Sequence, residues 1–180
     1  PLPNDGSELQ LTNKLVACNP KGKGAAVESE QLLQDANGKV YVRMLSSAFL
    51  VGAKNFQGAG KSLMPTHPKP ARAPDCEAKM TTSPTQTHIY RLSGDYNPLH
   101  IDSGFAQMFG FKEPILHGLC TMGHVARAVL QTYCDNDPAL MTKFKVRFSK
   151  PVLPGETLLV SMWKQGTIVV VEAAVMRKGK

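Results

Sequence analysis

Apolar and polar positions alternate over three stretches near the start of the chain, 9–18, 25–33 and 40–51, and predict three strands. The links between them are rich in turn formers. Asn19-Pro20-Lys21-Gly22-Lys23-Gly24 is the first, and Asp35-Ala36-Asn37-Gly38 the second, with Asn-Gly a strong hairpin signal. Short strands joined in this way predict an antiparallel meander. The alternation then stops. Residues 53–82 hold Pro65, Pro68, Pro70 and Pro74 among glycines and lysines. Proline fixes φ and removes a backbone donor, so this stretch reads as a crossing linker, partly extended and on the surface. A linker of that length inside one compact domain is unusual, which predicts two units.

The periodicity returns in a different form. Ser83-Pro84 suits a helix N-cap and first turn, so a short helix is expected to follow and to end near Ser93-Gly94. A second helical stretch is expected at 104–109, with Asp102 as its cap. The strongest helix pattern runs from about Gly118 to Tyr133, where Leu119, Met122, Ala126, Val129, Leu130 and Tyr133 recur at helical spacing. Three more strands are expected at 143–152, 157–163 and 168–176. In the first of these, Phe144, Val146 and Phe148 alternate with Lys143, Lys145 and Arg147. The second half therefore predicts an α+β unit, a sheet wrapped around one apolar helix. The first half shows the meander without the helix. Either it takes cover from the second half or its own beginning precedes Pro1.

Bulk properties narrow the function classes. With 42% apolar and 19% charged residues in 180, the composition is globular. No apolar run approaches the ~20 residues of a membrane span, and the first five residues suit neither a signal nor a transit peptide, so a soluble intracellular protein is expected, with no membrane partner. Cys18, Cys76, Cys120 and Cys134 form no CxxC pair and read as reduced structural thiols. The net charge of +7 suits a polyanionic partner, either nucleic acid or a nucleotide-bearing substrate. The basic residues are scattered without an aromatic platform, so nucleic acid is not expected.

One segment carries chemistry: Tyr90-Arg91-Leu92-Ser93-Gly94-Asp95-Tyr96-Asn97-Pro98-Leu99-His100. Gly94 permits a sharp turn and Pro98 holds Asn97 extended, so Asp95 and His100 project from a rigid kink. A carboxylate and an imidazole held together can position a water, take one proton and return another, and Asn97 can orient either partner. Pro114-Ile115-Leu116-His117-Gly118 then leads into the long helix. A helix N-terminus offers unpaired N–H groups and partial positive charge, and Gly118 exposes its N–H without a side chain. That suits the oxygen of an enolate-like thioester. Taken alone, Asp95 and His100 would be ordinary polar loop residues; the helix start beside them changes that reading. His117 reads as structural, and His124 as a solvent or interface residue. A zinc site from His100, His117 and His124 lacks ligand spacing, so no metal is expected. Cys120 has no base to activate it.

These two motifs resemble those of the (R)-specific 2-enoyl-CoA hydratases, the hydratase 2 or MaoC-like branch of the hotdog-fold superfamily. Across its length the chain resembles the hydratase unit of multifunctional peroxisomal β-oxidation enzymes, through Pro1-Leu2-Pro3, Lys21-Gly22-Lys23-Gly24 and Phe49-Leu50-Val51-Gly52 in the first half. The resemblance implies a double hotdog with an incomplete first repeat: residues 1–52 a degenerate N-terminal half that makes room for the acyl chain, 53–82 a crossing linker, and 83–180 the catalytic repeat. It implies reversible hydration of trans-2-enoyl-CoA to (3R)-3-hydroxyacyl-CoA. Asp95 and His100 would be the catalytic pair, Asn97 their support, and the Gly118 N–H the oxyanion donor. Tyr96, Pro98 and Leu99 would line the acyl-thioester pocket, Phe148 would pack near pantetheine, and Lys21 would reach the coenzyme A. No cofactor is implied beyond coenzyme A as part of the substrate. A homodimer, or a place within a larger multifunctional chain, is expected. A peroxisomal location is implied, although the tail Arg177-Lys178-Gly179-Lys180 is not a Ser-Lys-Leu signal. The alternatives are another acyl-thioester dehydratase, a thioesterase, or a non-catalytic acyl-CoA-binding module.

Overall fold

The computed structural model describes residues 2–176; Pro1 and the tail 177–180 lie outside the described residues. The chain divides into two compact units, Pro1–Thr66 and His67–Lys180.

Unit 1 is an antiparallel sheet in the order β3-β2-β1-β4, from β1 (Gln10–Lys21), β2 (Gly24–Gln34), β3 (Val40–Val51) and the short β4 (Ala59–Gly60). The first turn is tighter than the sequence suggests. Strand β1 continues to Lys21, which pairs with Gly24 across a two-residue loop, with Gly22 at φ +56°. Glycine is required at 24 because a Cβ there would lie 2.1 Å from the Leu50 carbonyl oxygen. At the second turn, the Asp35 carboxylate accepts from the N–H groups of Asn37 (2.9 Å) and Lys39 (3.0 Å). Glu28 is buried, and its carboxylate accepts from the Ser62 hydroxyl at 2.7 Å and the Leu63 N–H at 3.2 Å, tying the segment after β4 to the sheet. Among the described residues this unit contains no helix.

Unit 2 sets a long helix against a sheet. The sheet is β5-β6-β7, from β5 (Cys76–Thr81), β6 (Thr157–Gln165) and β7 (Ile168–Val175). Leu158, Val160 and Met162 alternate inward along β6. They form the core with Cys120, Val125, Ala128 and Val129 of α3 (Gly118–Tyr133), while Ala78 and Met80 of β5 and Val169 and Val171 of β7 pack around them. A helix packed on one face of an antiparallel sheet is the α+β layout that the sequence predicts for this half.

Several sequence expectations are corrected. The proline-rich stretch is not all linker, since Cys76–Thr81 pairs along its length with β6. The strand expected at 143–152 does not form: residues 141–149 belong to no helix or strand. Alternation fixes which face a side chain takes and does not by itself make a strand. The helix after Ser83-Pro84 starts later, as α1 (Gln86–Arg91), because the Ser83 hydroxyl accepts from the Thr85 N–H at 3.2 Å and holds a turn there. Helix α2 (Ser103–Met108) begins as expected, with the Asp102 carboxylate accepting from the Phe105 N–H at 2.7 Å. The buried face of α3 is rotated from the predicted stripe: Leu119 is exposed, while Cys120, Val125 and Ala128 are buried.

Candidate active site

The kink between α1 and α2 is built from short-range bonds. Gly94 turns the chain at φ +108°, where a side chain would be strained. The Asp95 carboxylate accepts from the Asn97 N–H at 3.2 Å, and the Asn97 carbonyl oxygen accepts from the Leu99 N–H at 3.0 Å, starting a single 3₁₀ turn over Pro98–His100. Two such side-chain turns in series leave the segment little freedom. Arg91 closes the kink from outside. It donates to the Tyr96 carbonyl at 2.8 Å, and its guanidinium stands 5.0 Å over the Tyr96 ring.

His100 is buried at 8% exposure and its ring is fixed. Its Nδ1 lies 2.7 Å from the Ile115 carbonyl oxygen, which can only accept, so Nδ1 carries the proton. Nε2 is then the basic nitrogen. The Ile115 carbonyl is itself held in place, because the next residue, Leu116, donates its N–H to the Val152 carbonyl at 2.7 Å.

His117 is the residue that sequence reasoning undervalued. It is 1% exposed and stacks on His100, with ring centroids 3.7 Å apart and planes 26° from parallel. Its Nε2–H donates to the Asp95 carbonyl at 3.3 Å, and Tyr90 packs 4.7 Å away on centroids. Asp95, His100 and His117 each bring a side-chain donor or acceptor within 4.8 Å of the others. The available signal was position: His117 immediately precedes the helix glycine. Its Nδ1 is buried with no hydrogen-bond partner among the described residues. An unpartnered buried group of this kind costs about 1–3 kcal/mol, so packing alone does not favour histidine there.

His117 is also the N-cap of α3, at φ −56° and ψ 133°, yet its side chain caps no N–H. The Thr121 N–H reaches back to the His117 carbonyl at 3.1 Å, and the N–H groups before it, starting with Gly118, have no partner within the helix. A Cβ at Gly118 would lie 3.2 Å from Cδ1 and Cε1 of Phe148, whose ring packs across the helix start. Phe148 thus reaches this region from irregular chain, not from the strand that its alternation predicts.

Burial sets the protonation states. It pushes the His117 imidazole down, and the neighbouring His100 adds to that effect. The Tyr90 phenol is raised, first by burial and then by Cys120 and Asp95; burial alone raises the Cys120 thiol, which leaves it a poor nucleophile. His124 is half-buried, not solvent-facing, and is lowered by burial and by Arg127. For His117 and His124 the folded state binds a proton less readily than the unfolded chain, whose histidines titrate near about 6.5. Stability therefore rises with pH below that value and is lost toward acid. The thermal midpoint should fall as the pH drops from about 7 to about 5, and His117→Leu should flatten that dependence. An unchanged slope in the variant would show that His117 takes up a proton at no cost to the fold.

Asp95, His100 and His117 are also the residue types that could hold a metal ion. Two imidazoles stacked at 3.7 Å, however, aim their nitrogens along nearly parallel planes, which is a poor start for tetrahedral convergence. Of the other sequence candidates, Asn97, Pro98 and Leu99 belong to the kink itself, and Tyr96 lies exposed on it. Lys21 is in unit 1, exposed at the end of β1.

A family model described as a MaoC-like domain matches residues 65–180. The chain is 47% identical over 182 residues to the peroxisomal multifunctional enzyme type 2 of Drosophila melanogaster, covering 99% of this chain and 30% of that protein. It is 36% identical over 192 residues to the peroxisomal enoyl-CoA hydratase 2 of Arabidopsis thaliana, covering 100% of this chain and 61% of the relative. Among solved structures it is similar to a MaoC-like dehydratase from Phytophthora capsici, with a TM-score of 0.85 at 41% identity, over 97% of this chain and 62% of the other. The full-length Drosophila melanogaster multifunctional enzyme superposes with a TM-score of 0.80 at 46% identity, over 93% of this chain and 30% of that one. The chain thus spans less than two thirds of the length of these relatives.

Proposed function

The chain belongs to the MaoC-like domain family, and from that premise we propose that it adds water across the double bond of a trans-2-enoyl-CoA, giving a (3R)-3-hydroxyacyl-CoA, reversibly. The observation that carries this reading is the clustering of Asp95, His100 and His117, the last of them the N-cap of α3, within one stretch of unit 2. Asp95 and His100 hold the water. As its oxygen bonds to C3, the pair removes one proton, and the electron pair of the double bond moves toward the thioester. Negative charge then builds on the thioester oxygen, where the Gly118 N–H and the positive end of α3 stabilise it. A proton delivered from the same pair to C2 completes the addition. Every atom of the product comes from the enoyl-CoA and one water, so the reaction as proposed uses no metal or redox cofactor.

Phe148 would border the pantetheine arm at the helix start, with Tyr96, Pro98 and Leu99 around the thioester. The names of the relatives support a peroxisomal setting, and that of the multifunctional enzyme a place within a larger chain; fatty-acid β-oxidation is the pathway class proposed here. The test follows both bonds at risk in one assay. Incubation with crotonyl- or decenoyl-CoA should remove the enoyl absorbance without releasing free thiol, and a chelator should leave the rate unchanged. Thiol release would assign a thioesterase instead, and tight binding without turnover a carrier module.

A further inference from the structure

Resting on the hydration reading above, we infer that His117 is a positioning residue, which holds Asp95, His100 and the oxyanion donor in one register. Two contacts of the ring and the position of its backbone support this. Its Nε2–H grips the backbone carbonyl of Asp95 at 3.3 Å, so it fixes the residue that carries the carboxylate and not the carboxylate itself. Its face backs the imidazole of His100 at 3.7 Å, while the Ile115 carbonyl holds that imidazole by Nδ1. Its own backbone is the N-cap of α3 and sets where the Gly118 N–H begins. Displacing the ring would therefore disturb Asp95 and His100 together, beside the helix start that its backbone sets.

The residue type fits this task better than it fits packing or capping. Serine, threonine, aspartate or asparagine at an N-cap would place an oxygen over the first-turn N–H groups. The imidazole makes no cap bond and leaves that end of the helix open to a substrate oxygen. With Nε2–H committed to a carbonyl, Nδ1 is the unprotonated nitrogen, and it is buried without a partner among the described residues. A residue selected for core stability would be an apolar side chain of similar volume. The neutral ring also spares His100 a stacked cation, leaving its Nε2 free to accept a proton.

The test compares His117→Leu, His117→Gln and Asp95→Asn in the full-length chain. Leucine keeps most of the volume and removes both ring nitrogens; glutamine keeps an N–H near the Nε2 position. Misplacement of reacting groups by about 1 Å costs on the order of 10²-fold in rate. His117→Leu should lower kcat by roughly that factor, with KM and the thermal midpoint close to wild type, and His117→Gln should recover part of the loss. A wild-type kcat in His117→Leu, or a loss of kcat that only tracks a falling midpoint, overturns the inference. If Asp95→Asn keeps full activity, the hydration chemistry assigned to this site is what fails, and the His117 inference falls with it. If Asp95→Asn is impaired and His117→Leu is not, only the His117 inference fails. Ring nitrogen NMR of the wild type gives a reading independent of turnover. His117 should be in the Nε2–H form and His100 in the Nδ1–H form at neutral pH; the opposite tautomers, or a charged His117, overturn it.

Discussion

Replacing Asp95 by asparagine should lower kcat for enoyl-CoA hydration by about 10²–10⁴-fold while leaving the fold and KM nearly unchanged. The substitution is matched in shape. Asparagine retains a side-chain oxygen to accept from the Asn97 N–H, the bond that makes the first of the two side-chain turns. The Asp95 backbone carbonyl stays in place to accept from His117. The kink should therefore persist, and only the capacity to take or return a proton is lost. Progress curves for loss of the enoyl absorbance measure the effect, and circular dichroism checks the fold. A variant that turns over at the wild-type rate would remove Asp95 from the chemistry and return it to the role of a turn former.

The second large effect is expected at the helix start. Gly118→Val should lower kcat by on the order of 10²–10³-fold, the loss typical of removing one oxyanion donor. Even a methyl group at this position would lie 3.2 Å from the Phe148 ring, and the larger side chain must displace either Phe148 or the first turn of α3. It would also stand where a thioester oxygen approaches the N–H. Pairing the change with Phe148→Ala separates the two effects. The double variant relieves the crowding but keeps the N–H shielded, so it should stay impaired. Full recovery would show that contact with Phe148, and not access to the N–H, was the fault.

The site was largely legible in the sequence where it is local. Asp95 and Asn97 are placed by contacts two residues apart, which motif and turn chemistry can read, whereas the ring of His100 is held from Ile115, fifteen residues on. The place of Gly118 at the helix start was legible too, since the bounds of α3 agree with the periodicity. What was missed depends on partners distant in sequence. The bonds that give His117 its place join residues 22 apart, and its stacking on His100 leaves no mark in spacing. Strand β5 was hidden for another reason. Its inward and outward residues alternate along Cys76–Thr81, but Glu77, Ala78 and Lys79 are weak strand formers and prolines precede them. The opposite error came at 143–152, where strand-forming residues alternate well and no strand is assigned among the described residues. The face of α3 was misjudged because cysteine and alanine, small in a hydrophobic ranking, are the residues that let the helix sit close on β6.

The proposed acid–base pair, its tautomer-setting carbonyl and the proposed oxyanion donor all fall within residues 95–118, and the bonds among them span at most 22 positions. Closing loops of that size is entropically inexpensive, and each doubling of length adds only about 0.6 kcal/mol. The reacting geometry is therefore a low-contact-order feature, able to assemble early while the remaining sheet completes around it. It is also portable in an evolutionary sense. A cassette of this kind can be inherited or duplicated as one short stretch, leaving the surrounding chain free to diverge in the acyl groups it admits.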